Sequence, residues 1–423
     1  MALTDGTEFV DPHAYARSGY PHASWARLRR EAPLHWCEPA EIVPFWAVTR
    51  HAHICEISKQ PDLFLNGKGI VPATREIAAR IARGEKGPFD AMQTIITMDP
   101  PNHRKFRKVA SPWFTPHALA RLDETIDASA QRLVDRLYDA QVGGEGRCDF
   151  AMDVAAQHPL RILGTILGVS QQDEQRILRL TQELFAGDDP EFQRPEGDRE
   201  QAMRNLGIEF LQYFGKIIAD RRAKPSDDLA SILANAEVEG ARMGDVETLG
   251  YYLIVFTAGH DTTRNALAGG MHALVEHPTT LAQLRSDPKG LVADAVEEIV
   301  RWTTPVNYMM RTASRDTELA GRKIRAGDRL LLFYASANRD EDVFEAPFEF
   351  RIGRHPNPHL GFGIGEHFCL GAHLARRSQR ALFAELAGRL REVEIDGPVE
   401  RLAASFVAGI KHLPLRYRLA PRA

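Results

Sequence analysis

The sequence predicts a mainly α-helical fold with small β-sheets, formed by one domain that spans residues 1–423. The segment HALARLDETIDASAQRLVDRLYDA (117–140) repeats apolar residues at intervals of three and four, which is typical of an amphipathic helix. A second long helical stretch is predicted over 245–277. Strand signals are short and local: FWAVT at 45–49, and LLLFYASA at 330–337 after the turn-forming RAGD. No internal repeat and no long linker is visible, so one large domain is favoured over two.

Composition excludes several function classes. The chain is 44% hydrophobic and 26% charged with a net charge of -4, so nucleic acid is not an expected partner. The four cysteines show no paired spacing, which favours a reducing cytoplasm over a disulfide framework. The first residues contain no apolar signal segment, and the apolar run at 251–259 is far shorter than the ~20 residues of a membrane span. We therefore expect a soluble, cytoplasmic monomer with no membrane contact.

A glycine-rich loop, GFGIGEHFCLG at 361–371, places Cys369 just before a predicted helix. That helix has one buried face, formed by Leu374, Leu382, Leu386 and Leu390. A helix N-terminus favours a thiolate, and glycines let the backbone approach a flat group closely. A buried structural cysteine and a zinc site with His367 and His373 are the alternatives. Closed zinc sites usually need four ligands, whereas a thiolate ligand to haem iron accounts for the glycines, the apolar residues and the nearby basic group together.

Two further motifs point to chemistry. AGHDTT (258–263) places a glycine and two threonines inside the long predicted helix, where a threonine hydroxyl can bond back to a carbonyl and bend it. MDPPNHRKFRK (98–108) begins a helix at two prolines and crowds its first turns with cations. Such cations oppose the helix dipole. A basic solvated face is one explanation, but His103 and Arg107 lie four apart on one side, which favours an anionic partner.

The string FGIGEHFCLG (362–371), together with these motifs and EEIVR (297–301), resembles the cytochrome P450 monooxygenases over roughly residues 20–415. The resemblance implies the cytochrome P450 fold, with haem b between the 245–277 helix and the cysteine loop. Cys369 would then be the axial thiolate ligand to iron. The other haem contacts implied by the family are His103, Arg107, Arg311, Phe362, His367 and Gly371.

The resemblance also implies catalytic and structural roles. Thr262 would hold water and the oxygen being activated, and Asp261 would relay protons. Glu298, Arg301 and Arg354 would form a buried structural triad. The residues expected to line the substrate pocket are Ile96, Met98, Ile254, Ala258, Val306, Asn307 and Val407.

The implied reaction is hydroxylation of a C–H bond in a compact hydrophobic substrate, with O2 as co-substrate. Several strings are similar to terpenoid-oxidising bacterial members, and TTRNALAGG (262–270) is similar to steroid oxidisers. Electrons would come from NAD(P)H through a ferredoxin reductase and a ferredoxin. The ferredoxin would dock on a patch of this chain formed by Arg104, Lys105, Lys108, Arg376 and Arg377. The alternative is that these residues are ordinary surface charge. Two other functions remain open: a peroxide-driven peroxygenase, and a haem-based sensor or carrier.

Overall fold

The computed structural model describes residues 3–85, 93–185, 188–193 and 199–422. The α-helices in these residues are α1 (Pro12–Ser18), α2 (His22–Glu31), α3 (His51–Ser58), α4 (Arg75–Ala82), α5 (Asn102–Ala110), α6 (Pro116–Leu119), α7 (Asp123–Asp139), α8 (Gln157–Leu167), α9 (Glu174–Phe185), α10 (Arg199–Ala223), α11 (Leu229–Ala234), α12 (Asp245–Glu276), α13 (Pro278–Ser286), α14 (Pro288–Thr303), α15 (Tyr334–Ala337) and α16 (Ala372–Arg389). Short 3-10 turns lie at Thr7–Phe9, Ala120–Leu122, Gln171–Asp173 and Gly365–His367, and a π-helical turn lies at Ala151–Ala155. Among the described helices, none is long and apolar enough to cross a membrane.

The strands are short. They are β1 (Leu34–Cys37), β2 (Phe45–Val48), β3 (Phe64–Leu65), β4 (Gly146–Asp149), β5 (Glu237–Val238), β6 (Ala241–Arg242), β7 (Tyr308–Ala313), β8 (Thr317–Leu319), β9 (Arg322–Ile324), β10 (Arg329–Phe333), β11 (Leu390–Ile395), β12 (Glu400–Arg401), β13 (Ile410–His412) and β14 (Pro414–Leu419). The largest sheet has the order β1-β2-β10-β7-β3, in which β2 and β10 run parallel and Ala47 lies opposite Leu331. A second sheet has the order β11-β14-β4, and the remaining strands form two-stranded pairs. The predicted fold class, helical with small sheets, is therefore confirmed.

Helix α12 runs through the middle of the molecule. Most of its side chains are buried, as expected for a helix enclosed on several sides. On one side its apolar residues join a core with α8, α9 and α10. On another side they join a core with α14 and α16. This position brings the middle of α12 opposite the start of α16, which follows the glycine-rich loop.

Three local predictions agree with the structure. The helical pattern over 117–140 forms α6 and α7, separated by the 3-10 turn Ala120–Leu122. The strand predicted at 45–49 is β2, and the helix predicted over 245–277 is α12. In α7 the apolar period matches the face that the tertiary structure buries.

The strand predicted over 330–337 is only half correct, because β10 ends at Phe333 and α15 follows. The turn is fixed by contacts distant in sequence. The Ser336 hydroxyl donates to the Thr49 carbonyl at 2.8 Å and lies 3.0 Å from Nη1 of Arg29. These contacts decide the backbone direction where propensity alone favours continued strand.

Candidate active site

The glycine-rich loop holds Cys369 against an internal cavity. Gly363 and Gly365 have φ angles of +68° and +79°, which glycine adopts without strain. A Cβ on Gly365 would also lie 2.3 Å from the Ser58 carbonyl oxygen, so no side chain fits there. The amide of Cys369 donates to the Phe362 carbonyl at 2.9 Å, which closes the loop three residues before α16. The predicted position of the thiol, just before a helix N-terminus, is confirmed.

The surface that Cys369 exposes is the wall of this cavity. Surrounding protein atoms bury the sulfur and raise the pKa of the thiol. Three neighbours act in the opposite direction and favour the thiolate: the Gly371 amide, Arg107 and Arg376. A metal ion that the sulfur coordinates would deprotonate it outright.

Four basic side chains line one part of the cavity: His103, Arg107, Arg311 and His367. The His103 and His367 rings lie 4.0 Å apart between centroids. Burial, and then the charges of His103, Arg311 and Arg107, lower the pKa of His367 to about 2. Burial also lowers the pKa of His103, so both rings are neutral and the positive charge of this wall comes from Arg107 and Arg311.

Arg311 is the clearest sign that an anion belongs here. Its side chain is 4% exposed, and its Nη1 donates to the neighbouring Met310 carbonyl at 2.9 Å. Among the described residues it has no ion pair, and its side-chain hydrogen-bond partner is the neutral Tyr334. Burial lowers the pKa of Arg311, as expected when a cation has no nearby countercharge.

The opposite wall of the cavity belongs to α12. Ile254, Ala258 and Thr262 line it, one helical turn apart. The Thr262 hydroxyl donates to the Ala258 carbonyl at 2.6 Å. This is the hydrogen bond back to a carbonyl that the sequence predicts at 258–263, and α12 stays helical through the motif.

Asp261 does not lie on the cavity wall among the described lining residues. Its carboxylate is 2% exposed and points away, 3.4 Å from Nη1 of Arg264 and 3.5 Å from Nδ2 of Asn265. Burial raises the pKa of Asp261, and Arg264 opposes this shift. Any proton that it exchanges with the cavity must pass by way of a neighbouring group.

The predicted pocket residues divide into two groups. Ile96, Ile254, Ala258 and Val306 line the cavity, whereas the following are absent from its described lining: Met98, Asn307 and Val407. Met98 packs in the apolar core. Asn307 is fully buried, and its Nδ2 donates to the Tyr15 hydroxyl at 2.7 Å and to the Ser405 carbonyl at 2.9 Å. Val407 pairs with Val306 through backbone contacts behind the wall. These three predictions of substrate contact are therefore corrected.

Further lining residues escaped the sequence analysis. They are mostly apolar and include Phe114, Pro159, Ile162, Leu163, Pro305 and Met309. The apolar period of α8 indicates a buried face. Only the packing of α8 against α12 turns part of that face toward a cavity.

The predicted triad is buried beside the loop. Glu298 and Arg301 are both 0% exposed, and Nε and Nη2 of Arg301 each lie 2.7 Å from a Glu298 oxygen. Nε of Arg354 lies 3.2 Å from the same carboxylate. The triad thus connects α14 to the chain segment that leads into the cysteine loop.

The donor set fits haem. A thiol on a glycine loop would supply a ligand to the iron, Arg107 and Arg311 have no ion pair among the described residues and would suit propionates, and the remaining walls are mostly apolar. Gly371 leaves open space, since a Cβ built there meets no atom within 4 Å. This arrangement within a helical fold places the protein in the class of haem-thiolate proteins.

Comparison with known proteins identifies the family within that class. The family model described as Cytochrome P450 matches residues 41–391. Cytochrome P450-terp from a Pseudomonas species is 40% identical over 97% of this chain and 96% of its own. A methyl-branched lipid omega-hydroxylase from Mycobacterium tuberculosis is 36% identical over 93% and 90%. The crystal structure of CYP108D1 from Novosphingobium aromaticivorans has a TM-score of 0.88 and 39% identity, covering 98% of both chains. This chain belongs to the cytochrome P450 family of monooxygenases.

Proposed function

We propose that the protein hydroxylates a C–H bond of a compact hydrophobic substrate, using O2 and electrons delivered by a ferredoxin. The observation that carries this proposal is one apolar cavity that joins Cys369 to Thr262 on α12, with Arg107 and Arg311 together at one part of its wall. Haem bound to a thiolate supplies the activation of O2 and the oxidising power. The protein supplies binding, orientation and protons.

The haem would be held by groups of three kinds. Cys369 would bind the iron through its thiolate. Arg107 and Arg311 would pair with the propionates, and the neutral rings of His103 and His367 could donate hydrogen bonds to them. Phe362 and Gly371 would border the ring, since both line the cavity beside the thiol. Arg376, with its guanidinium 4.3 Å from the centre of the Phe362 ring, would keep that ring in place.

We propose that Thr262 delivers protons to the oxygen-binding part of the cavity. Its hydroxyl lines the cavity, and it can donate either to the Ala258 carbonyl or to a group in the cavity by a rotation of its side chain. Asp261 would resupply the proton from behind the helix. Its raised pKa favours the protonated acid that such a role needs.

The substrate should carry little charge. Its proposed contacts Ile96, Ile254, Ala258 and Val306 are apolar or small. Asn66 is a polar exception that also lines the cavity. Its Nδ2 donates to the Ile96 carbonyl at 2.8 Å, which leaves its Oδ1 to accept a hydrogen bond from a substrate hydroxyl.

The substrate class proposed is a terpenoid, an alkyl-aromatic or a steroid-like ring system. The relative named P450-terp agrees with the first of these, and the relative named as a lipid hydroxylase defines the main competitor. Spectral titration of the haem protein with a terpene alcohol, an alkylbenzene, a steroid ketone and a fatty acid tests the proposal. We expect low-spin to high-spin conversion with at least one of the first three. Tight binding of the fatty acid alone would overturn the substrate class.

Fewer residues are available for the proposed ferredoxin docking patch than the sequence indicates. Four of the five cations expected to form a docking patch are held in ion pairs: Arg104 with Glu366, Lys105 with Glu239, Arg376 with Glu297, and Arg377 with Asp123. Lys108 is exposed and has no ion pair among the described residues. Charge complementarity at this face is therefore weaker than the sequence indicates.

One experiment separates the three candidate functions. Product formation is measured with NADH, ferredoxin and reductase, and separately with hydrogen peroxide alone. We expect product with the ferredoxin system. Product with peroxide alone indicates a peroxygenase, and haem binding without product under either condition indicates a sensor or carrier.

A further inference from the structure

Residues 188–193, between α9 and α10, are fastened to the hairpin formed by β12 and β13. In this segment Asp189 is 1% exposed. Its Oδ2 accepts from the Ala403 amide at 3.0 Å. Phe192 packs on Leu402 and Ala404. The segment is thus docked on the hairpin by one buried carboxylate and one apolar side chain.

Two adjacent cations of the hairpin complete the attachment, and we call Lys411 and His412 the clasp. Nζ of Lys411 lies 3.2 Å from Oδ1 of Asp189 and 3.2 Å from Oε2 of Glu191. Nε2 of His412 lies 2.9 Å from the same Glu191 oxygen, and its Nδ1 lies 2.5 Å from Oδ2 of Asp149. Both nitrogens of the imidazole therefore face carboxylates. Such a ring binds best when it is protonated.

The charge that His412 contributes to the clasp depends on pH. Burial alone would lower the pKa of His412, but its hydrogen bonds to Asp149 and Glu191 raise it above its ordinary value. A raised pKa means that this attraction is complete below about pH 6.5 and is lost as the pH rises through the folded-state pKa. Lys411 then faces the carboxylates alone. The charged groups around the two cations are Asp149, Asp153, Asp189, Glu191, Glu400 and, behind the Lys411 carbonyl, Arg264.

The hairpin is also bonded to the wall of the cavity. The Ala408 amide donates to the Pro305 carbonyl at 3.0 Å, and Val407 pairs with Val306. Pro305 and Val306 both line the cavity. From the other side, α9 and α10 share an apolar core with the lining residue Leu163. The attachment therefore joins two elements that both back the cavity.

We propose that Lys411 and His412 are a pH-sensitive clasp that fixes residues 188–193 on the hairpin, so that ligand exchange with the cavity is slow at mildly acidic pH and faster at alkaline pH. The part that concerns ligand exchange rests on the proposed haem and substrate cavity. The part that concerns the attachment of 188–193 does not.

Hydrogen exchange of the full-length, haem-loaded protein tests the attachment. Exchange at 188–193 is measured between about pH 6 and about pH 9 and corrected for the intrinsic rate. We expect corrected exchange in the wild type to rise by about two- to fivefold across this range, the size of one partly exposed ion pair. His412→Gln should exchange at the alkaline rate at every pH. His13→Gln, at an exposed histidine of α1, should behave as the wild type does. Equal exchange at 188–193 in the wild type and His412→Gln at acidic pH would overturn the proposal.

Dissociation of 4-phenylimidazole from the ferric protein tests the effect on the cavity. Comparing variants at the same pH cancels the titration of the probe. We expect His412→Gln to release it about two- to fivefold faster than the wild type at acidic pH, with the two rates converging at alkaline pH. Lys411→Gln provides a second variant and should be faster at every pH. Identical release rates in all three proteins would overturn the control of ligand exchange. If 4-phenylimidazole does not bind at all, the proposed haem site is wrong, while exchange at 188–193 still decides on the clasp.

Discussion

Replacing Glu298 by glutamine should remove much of the stability of the folded protein. The carboxylate is completely buried and is the shared acceptor for Arg301 and Arg354. It also accepts from the Arg351 amide at 2.8 Å and from Nδ2 of Asn357 at 3.3 Å. The neutral amide would leave two guanidinium groups without a countercharge. Removing one partner of a buried ion pair costs ~3–5 kcal/mol.

That loss is large compared with the ~5–15 kcal/mol that stabilises a typical domain. We therefore expect Glu298→Gln to give little folded protein and reduced haem content. The free energy of unfolding is measured by urea denaturation, with bound haem quantified in parallel. Glu392→Gln is the matched control, because Glu392 pairs with Arg418 at 3.4 Å on the surface, where both side chains are at least half exposed. It should change stability by less than ~1 kcal/mol. A Glu298→Gln protein with full haem content and stability within about 1 kcal/mol of wild type would refute this reasoning.

Three further predictions concern the site and its surroundings. Cys369→Ala should abolish the red-shifted Soret band of the ferrous carbon monoxide complex, whereas Cys148→Ala, away from the described cavity lining, should keep it. Thr262→Ala should bind substrate yet release hydrogen peroxide in place of product. Thr257→Ala should stay coupled, because the Thr257 hydroxyl makes the same bond back along α12 without facing the cavity. Burial lowers the pKa of His158 to about 4. From about pH 6.5 downward, His158 therefore gains a proton in the unfolded chain while it stays neutral in the folded chain. Urea denaturation of the wild type should therefore show falling stability over this range, with a flatter pH dependence for His158→Gln; equal slopes would contradict the buried, neutral state of this ring.

Much of the site follows from local sequence. Cys369 could be placed because its loop and the start of α16 are contiguous in the chain. Glu298 and Arg301 could be paired because residues three apart share one face of a helix. His103 and Arg107 could be grouped for the same reason, since they lie one turn apart on α5. In each case the relevant distance is set by the period of a single element.

The tertiary structure decided which way neighbouring side chains face. Successive helix residues are rotated by about 100°, so Thr262 lines the cavity while Asp261 points to Arg264 behind α12. In extended chain successive side chains alternate, so Val306 lines the cavity while Asn307 bonds to Tyr15.

Contacts between residues far apart in the chain could not be predicted from the sequence either, because they depend on how separate elements pack. Asp149 and Glu191 meet His412 only because β4, residues 188–193 and the hairpin of β12 and β13 converge. Leu163 lines the cavity only because α8 packs on α12. The sequence determined the chemistry that each element carries, because that depends on short-range periodicity. Tertiary packing determined which of those groups share a cavity or an ion pair, because that depends on how separate elements are oriented against one another.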